Sequence, residues 1–408
     1  MRILFLTDNF PPEVNAPASR TFEHASRWVR QGHEVTVVTG APNFPQGRVY
    51  PGYDNAWYRV EDMTGVRVVR VKTYIAANEG FARRTLDYLS FMVTGFLAGL
   101  IQHRPDVIVG TSPQFFTNCA AWMLSVFRRR PFVFELRDLW PASIITVGAM
   151  SHGLAIHALE KLELFLYRRA AAIVPVTHAF KDDLVRRGID PARIHVVING
   201  VDLSRYFPRP RDPALAVEHE LRDKFVVGYI GTHGMAHALH WVLEAAERLR
   251  DRPDIVFLFV GDGAKRQALV EQAGRKQLSN VRLLPIQPKE RMPAIWSQCD
   301  LALIPLKNDP VFATVIPSKL FEAMGMGLPV LMALPEGEAT GIVRQTGAGV
   351  VVPPEDPAAL AEIVVALIAD PERMRQLRAA ALAAVPGFSR DRQARRMLDL
   401  LETIAREG

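Results

Sequence analysis

Short runs of β-branched and aliphatic residues alternate with amphipathic helical stretches along nearly the whole chain, and this alternation leaves few architectures open. A strand that re-enters its sheet only after a helix lies parallel to its predecessor, and the intervening helices cover the sheet faces. In the first half, Ile3–Thr7, Glu34–Thr39, Val66–Val71, Val107–Gly110, Phe132–Leu136, Ile173–Val176 and His195–Ile198 read as strands. Helices are expected over Ala18–Gln31, Asp87–His103, Gln114–Phe127, Ile156–Ala171 and His178–Arg187. The plan repeats with strands at Val226–Ile230, Ile255–Val260, Val281–Leu284, Leu301–Ile304 and Val330–Ala333. Its helices are expected over His240–Arg250, Lys265–Ala273, Lys289–Gln298, Ser318–Met324 and Pro357–Ala369. Two doubly wound α/β units in tandem follow, and 408 residues, 49% of them apolar, supply enough material for both cores.

The boundary is expected in Asn199–Pro213, where turn formers and prolines concentrate, giving domains over residues 1–200 and 201–385. A break at Val385-Pro386-Gly387-Phe388 precedes an amphipathic run, Met397, Leu398, Leu400, Leu401 and Ile404, so residues 386–408 are expected to form a helix that returns to the first domain. Ligands of open parallel sheets bind beyond the carboxyl ends of the strands, and two such domains facing each other place a cleft between them. The segments expected to line it are Asn9–Arg20, Gly110–Pro113, Arg137–Pro141, Gly231–His237, Gly261–Gly263, Pro285–Pro288 and Pro317–Glu322.

A net charge of +6 and a pI near 9.4 fit an anionic partner. Nucleic acid is disfavoured, because the basic residues are scattered among acids and no basic-aromatic patch or zinc spacing occurs. Cys119 and Cys299 each stand alone in apolar surroundings, which argues against a disulfide framework or a metal site and for a reducing cytoplasm. The start M-R-I-L-F-L-T-D reads as a strand, not a signal peptide. Tyr88–Ile101 is apolar over 14 residues, short of a bilayer span. Arg83, Arg84 and Arg128–Arg130 beside such helices allow contact with an anionic inner-membrane surface; two core-facing helices with solvated Arg ends are the other reading.

The densest chemical signal is I-P-S-K-L-F-E-A-M-G-M-G-L-P-V from Ile316 to Val330. Pro317 suits a helix start, Ser318 can cap it, and Lys319 adds charge to a helix end that already attracts anions, so a phosphate fits there. Glu322, on the ligand side of that helix, can accept hydrogen bonds from sugar or ribose hydroxyls. An ordinary capped surface helix would look the same in isolation.

These pieces acquire a context from D-N-F-P-P-E, Q-G-H-E-V-T-V-V-T-G, I-N-G-V-D-L-S-R-Y-F-P, V-G-D-G and S-K-L-F-E-A-M-G-M-G-L-P-V, which fall in order along the chain. Together they resemble glycosyltransferase family 4. The resemblance implies the GT-B fold, two Rossmann-like domains facing a central cleft, with an acceptor-binding first domain and a nucleotide-sugar-binding second. It also implies retaining transfer from a nucleotide diphosphate sugar without a metal or cofactor. The family's paired glutamates map onto Thr314 and Glu322; Glu322 keeps the ribose-binding carboxylate, whereas Thr314 leaves sugar contacts to the backbone of Phe312–Val315. The family's diphosphate-binding Arg and Lys fall near Thr232 and His237 in G-T-H-G-M-A-H, which makes Lys319 the expected cation for the departing diphosphate. Gly231, His233, Gly261, Asp262 and Ile286, with Val315 and Ile316, complete the expected donor set. For His233 and His237 the competing reading is a loop held by side-chain hydrogen bonds.

On the acceptor side, many relatives carry a histidine where this chain has Arg137, followed by Asp138. Asp138 can hold an acceptor hydroxyl or orient Arg137 toward phosphate; a strand-end ion pair is the plainer reading. Asn15–Ser19 replaces a Gly-rich loop, so Ala16 and Arg20 are expected near the diphosphate. E-V-N-A-P-A-S-R, A-P-N-F-P-Q-G, F-E-L-R-D-L-W-P and T-H-G-M-A-H resemble bacterial N-acetyl-L-fucosamine transferases of O-antigen and colanic-acid assembly, implying a UDP-linked amino sugar and a lipid-linked saccharide acceptor at the inner face of the membrane. A non-hydrolysing UDP-sugar epimerase and a catalytically inactive nucleotide-binding scaffold are the competing functions.

Overall fold

Valine, isoleucine, leucine and phenylalanine fill both faces of the central strands, and burial on both sides is what a helix-covered parallel sheet requires. The computed structural model describes residues 1–44, 47–75, 81–139 and 153–408, without the side chains of residues 81, 82, 154 and 155. The expected Arg137–Pro141 segment therefore extends beyond the described residues at Trp140 and Pro141. The chain divides into two units, Met1–Asn199 with Arg390–Gly408, and Gly200–Ser389.

In the first unit β1 (Arg2–Leu6), β2 (Glu34–Gly40), β3 (Tyr58–Met63), β4 (Val66–Val71), β5 (Val107–Thr111), β6 (Phe132–Leu136) and β7 (Ala172–Pro175) form a sheet in the order β3-β4-β2-β1-β5-β6-β7. All its pairs are parallel except β3 with β4, which run antiparallel from Tyr58↔Val71 to Met63↔Val66. The sequence reading lacked β3, because Tyr-Arg-Val-Glu-Asp-Met is an exposed edge with too few apolar residues to signal a buried strand. His195–Ile198, expected as a strand, forms no named strand. The N–H groups of His195 and Val197 donate to Ile173 O (2.9 Å) and Pro175 O (3.0 Å), but the carbonyls of Val197 and Ile198 accept from Arg20 (2.8 Å each) and are withdrawn from any further ladder.

The second unit holds β8 (Phe225–Ile230), β9 (Ile255–Val260), β10 (Val281–Leu284), β11 (Leu301–Pro305), β12 (Val330–Ala333) and β13 (Gly349–Val352), all parallel, in the order β10-β9-β8-β11-β12-β13. Strand order reverses beside β1 in one sheet and beside β8 in the other. A crevice opens at such switch points beyond the carboxyl ends of the strands.

The final helix, Arg390–Glu407, packs Met397, Leu398, Leu401 and Ile404 against Ile3, Phe5, Trp28 and Val107 of the first unit. The Trp28 indole donates to Ala394 O (2.9 Å), and Arg27–Asp391 and Arg390–Glu23 (2.6 Å each) clamp its N-terminal turn.

Candidate functional site

Beyond the carboxyl ends of β8 and β11 the second unit has a hollow of about 230 Å³, lined by His237, Phe312, Val315, Ile316, Pro317 and Lys319 among others. The amine of Lys319 lies 3.9 Å above the Tyr229 ring centroid, enclosed, with no hydrogen-bond partner among the described residues. Burial lowers its pKa to about 7, against the opposing pull of the Glu322 charge. Gly231, at φ +145°, makes the room: a Cβ there would sit 2.6 Å from that amine. Lys319, expected as the cation for the departing diphosphate, is thus an amine held in an aromatic pocket.

Other members of the expected donor set divide sharply. Ser318 does not cap the Lys319–Gly325 helix: its own dihedrals are helical (φ −59°, ψ −29°), so its side chain makes no capping bond. Glu322 is half-buried and accepts the Trp296 indole N–H at 3.3 Å, a partner that the sequence reading did not identify. Thr314 folds back, its hydroxyl donating to Val311 O (2.7 Å) at the end of a 3₁₀ turn over Pro310–Thr314. Two strand-end loops interlock around His233, whose N–H donates to Asp262 O (2.8 Å) and whose carbonyl accepts from Lys265 N (2.9 Å). Gly261 allows this approach, since a Cβ there would fall 1.9 Å from Gly231 O.

The His233 ring is buried against Phe259 and Tyr229, with both ring nitrogens unpartnered among the described residues. A loop held by His233 side-chain hydrogen bonds is thereby excluded. Burial, then the Arg266 and Lys319 charges, lowers its pKa to about 4, and burial with Lys319 lowers that of His237 to about 3. Neither imidazole carries charge at neutral pH, which leaves Lys319 as the titratable cation of this pocket. Thr232, Asp262 and Ile286 are exposed. Tyr229 itself, the platform for Lys319, gave no chemical signal beyond its place in an apolar strand.

In the first unit, Arg20 and Ala16 part company. Ala16 is exposed at the start of the Ala16–Arg30 helix, capped by Asn15. Arg20 is fully buried, paired with Glu135 (2.9 Å) and bonded to Val197 O and Ile198 O, so it is an internal strut and not the diphosphate neighbour expected of it. Arg137 is also buried, its Nη1 unpartnered among the described residues, and burial lowers its pKa to about 10 despite Glu135. Ser112 Oγ accepts the backbone N–H groups of Arg137 (2.7 Å) and Asp138 (3.4 Å). Burial raises Asp138 to about 6, with Arg137 opposing. Next to the end of β1, burial with Asp87 and Glu13 raises Asp8 well above the usual range, and burial raises Asp87 to about 7. This carboxyl cluster was missed because Asp8 and Asp87 are far apart in sequence.

Among the described residues no group of three or more His, Cys, Asp or Glu could hold a metal ion. Both cysteines are buried and free.

Comparison with known proteins places two domains on this chain: residues 15–200 match the glycosyl transferase 4-like domain and residues 224–370 match glycosyl transferases group 1. A D-inositol 3-phosphate glycosyltransferase of Xylanimonas cellulosilytica is 30% identical over 391 residues, 91% of this chain and 87% of that protein. The protein of Escherichia coli (strain K12) named as the colanic acid biosynthesis glycosyl transferase WcaI is 27% identical over 371 residues, 88% of this chain and 90% of its own. Among solved structures, Anabaena HepE in complex with UDP-glucose shares the fold with a TM-score of 0.71 at 19% identity, over 99% of this chain and 100% of that one.

Proposed function

This chain belongs to the glycosyltransferases that pair a 4-like domain with a group 1 domain, and on that premise we propose that it moves a sugar from a UDP-linked donor to a lipid-linked saccharide in bacterial surface-polysaccharide assembly, with retention and without a metal or cofactor. The observation that carries the reading is the enclosed Lys319 amine at the β8/β11 switch point, one helical turn from Glu322. A nucleotide diphosphate sugar needs both groups: a carboxylate for ribose hydroxyls and a cation where the diphosphate gains charge as it departs. HepE's complex with UDP-glucose supports the donor class, and the name of WcaI supports the polysaccharide setting; the N-acetylated amino sugar rests on the sequence motifs alone. The backbone of Phe312–Val315 faces the sugar in this reading. Asp138, near neutrality, accepts a hydrogen bond from the acceptor hydroxyl while Arg137 offers its free Nη1 to an acceptor anion.

The same reading puts the protein at the inner face of the membrane as a peripheral enzyme. Among the described residues no helix is long and apolar enough to cross a bilayer. The Phe81–Leu100 and Phe115–Arg128 helices, with Ile101 just after the first, instead leave Val93, Leu97, Ile101, Val126 and Phe127 more than half exposed, a ridge suited to lie in a lipid interface.

UDP-sugars incubated with short lipid-diphosphate-sugar acceptors, with product mass and anomeric configuration read out, test the assignment. Acceptor-dependent UDP release with retained configuration, undiminished by a chelator, is the expected result. Sugar-nucleotide conversion without acceptor would instead mean an epimerase, and binding without turnover a scaffold. Glu322→Ala is expected to weaken donor binding by roughly 10- to 100-fold, the worth of hydrogen bonds to a charged group. Titration calorimetry with UDP checks it, and unchanged affinity would take the ribose away from Glu322.

A further inference from the structure

On the face of the first unit, away from the carboxyl ends of its strands, lies a second hollow of about 570 Å³. Arg129, Arg130 and Arg169 line it together with Trp122, Val126 and Gly408, and no acidic side chain does. Arg129 to Pro131 lead directly into β6 at Phe132, so the hollow sits at the amino end of that strand, whereas Arg137 follows its carboxyl end. It is therefore separate from the candidate acceptor site.

Its three guanidinium groups are unusually available. Arg129 and Arg130 have no carboxylate or carbonyl partner for their side chains among the described residues, and the Arg130 Nε is enclosed with nothing to receive its hydrogen. Arg169 is held in place by stacking over Phe165 (5.3 Å), which packs edge-on against Trp122 (5.0 Å). The neighbouring Arg128 is committed elsewhere: it donates to the carbonyls of Leu100 and Gln102 (2.7 Å to the latter), tying the ends of two helices together. Three guanidinium groups lining one hollow with no acidic side chain among them repel one another, and a phosphate oxygen set is a group that relieves this.

The rim of the hollow identifies the source of that phosphate. Val126, 57% exposed, lines it, and Phe127, 70% exposed, follows in the chain. Phe127 packs on Phe96 (5.4 Å), whose helix carries exposed Val93 and Leu97 and is followed by exposed Ile101. An anion pocket opening onto an apolar ridge matches a molecule with a charged head and acyl chains, not a free ion.

We propose that the Arg129–Arg130–Arg169 hollow binds the phosphate of an anionic phospholipid headgroup, fixing the orientation of the first unit on the membrane surface. The inference rests on the peripheral-membrane reading above and adds a stoichiometric site to it.

Flotation of the full-length protein with vesicles of phosphatidylcholine alone, and of phosphatidylcholine with phosphatidylglycerol, tests it at fixed ionic strength. The wild type is expected to prefer the anionic vesicles. Arg129→Gln/Arg130→Gln/Arg169→Gln should lose that preference by on the order of 10- to 100-fold while binding phosphatidylcholine like the wild type. A control, Arg373→Gln/Arg375→Gln/Arg378→Gln, removes the same charge from the second unit and should retain the preference; melting curves verify that both triples fold. Equal losses in the two triples would mean diffuse attraction and overturn the pocket, leaving membrane attachment intact. No vesicle binding by the wild type would overturn both. Inorganic phosphate that raises the melting temperature of the wild type but not of the pocket triple, with no preference for anionic vesicles, would reassign the hollow to a soluble anion and defeat the lipid assignment.

Discussion

Arg20→Ala is expected to destabilise the first unit by about 3–5 kcal/mol, because it strips the partner from a fully buried carboxylate. Glu135 lies inside the unit, where an unpaired charge is far costlier than the pair it leaves. The same substitution frees the carbonyls of Val197 and Ile198, which hold the last segment of the unit beside β7. For a unit of this size the melting temperature should fall by on the order of 10 °C. Combining Arg20→Met with Glu135→Leu should recover much of the loss, since an apolar pair carries no desolvation cost. A role as diphosphate ligand predicts the opposite pattern: an unchanged melting temperature with a raised KM for donor. Thermal melts and donor kinetics on the same proteins separate the two.

Lys319→Met is expected to lower turnover by roughly 100-fold or more, the usual worth of one fixed charge that stabilises a developing anion. The wild type should also show a signature that the variant lacks. With the free-enzyme amine titrating near 7, kcat/KM for the donor should decline as pH rises above that value, because the amine must be charged to meet the diphosphate. Stability moves the other way. The folded-state pKa of about 7 lies below the ordinary lysine value of 10.5, so across that window the unfolded chain binds the extra proton and wild-type stability rises with pH. Below about 7 both states carry the proton and the contribution is flat. Lys319→Met should lose this rise while remaining folded, since methionine fills the space above Tyr229 without a buried charge. An alkaline decline in kcat/KM that persists in Lys319→Met would assign it to another group. Near-wild-type turnover would move the diphosphate cation to another residue.

How much of this was legible in one dimension depended on the range of the interaction. The strands Ile255–Val260 and Val330–Ala333 stand where continuous apolar runs predict them, because burial on both faces writes itself into consecutive residues. β3 was illegible because an edge strand buries too little to leave a pattern. The helix carrying Lys319 and Glu322 was legible from I-P-S-K-L-F-E, yet its supposed cap was not, since whether Ser318 caps depends on its own dihedrals and not on its identity. The charge state of a side chain was least legible of all. Lys319 has an ordinary sequence setting, and its depressed basicity comes from burial, in a space shaped by a tyrosine 90 residues earlier and a glycine that leaves room for the amine. Arg20 read as a helix-start cation near the diphosphate until Glu135 closed on it from β6.

By itself, then, the sequence determined the alternating α/β plan, the two-unit division and the family, all of which rest on periodicity and on motifs of neighbouring residues. Only the tertiary structure decided which of the charged residues are free to meet a ligand. Solvation and Coulomb energies depend on distance in space, and the groups that set them here lie tens to hundreds of residues apart along the chain.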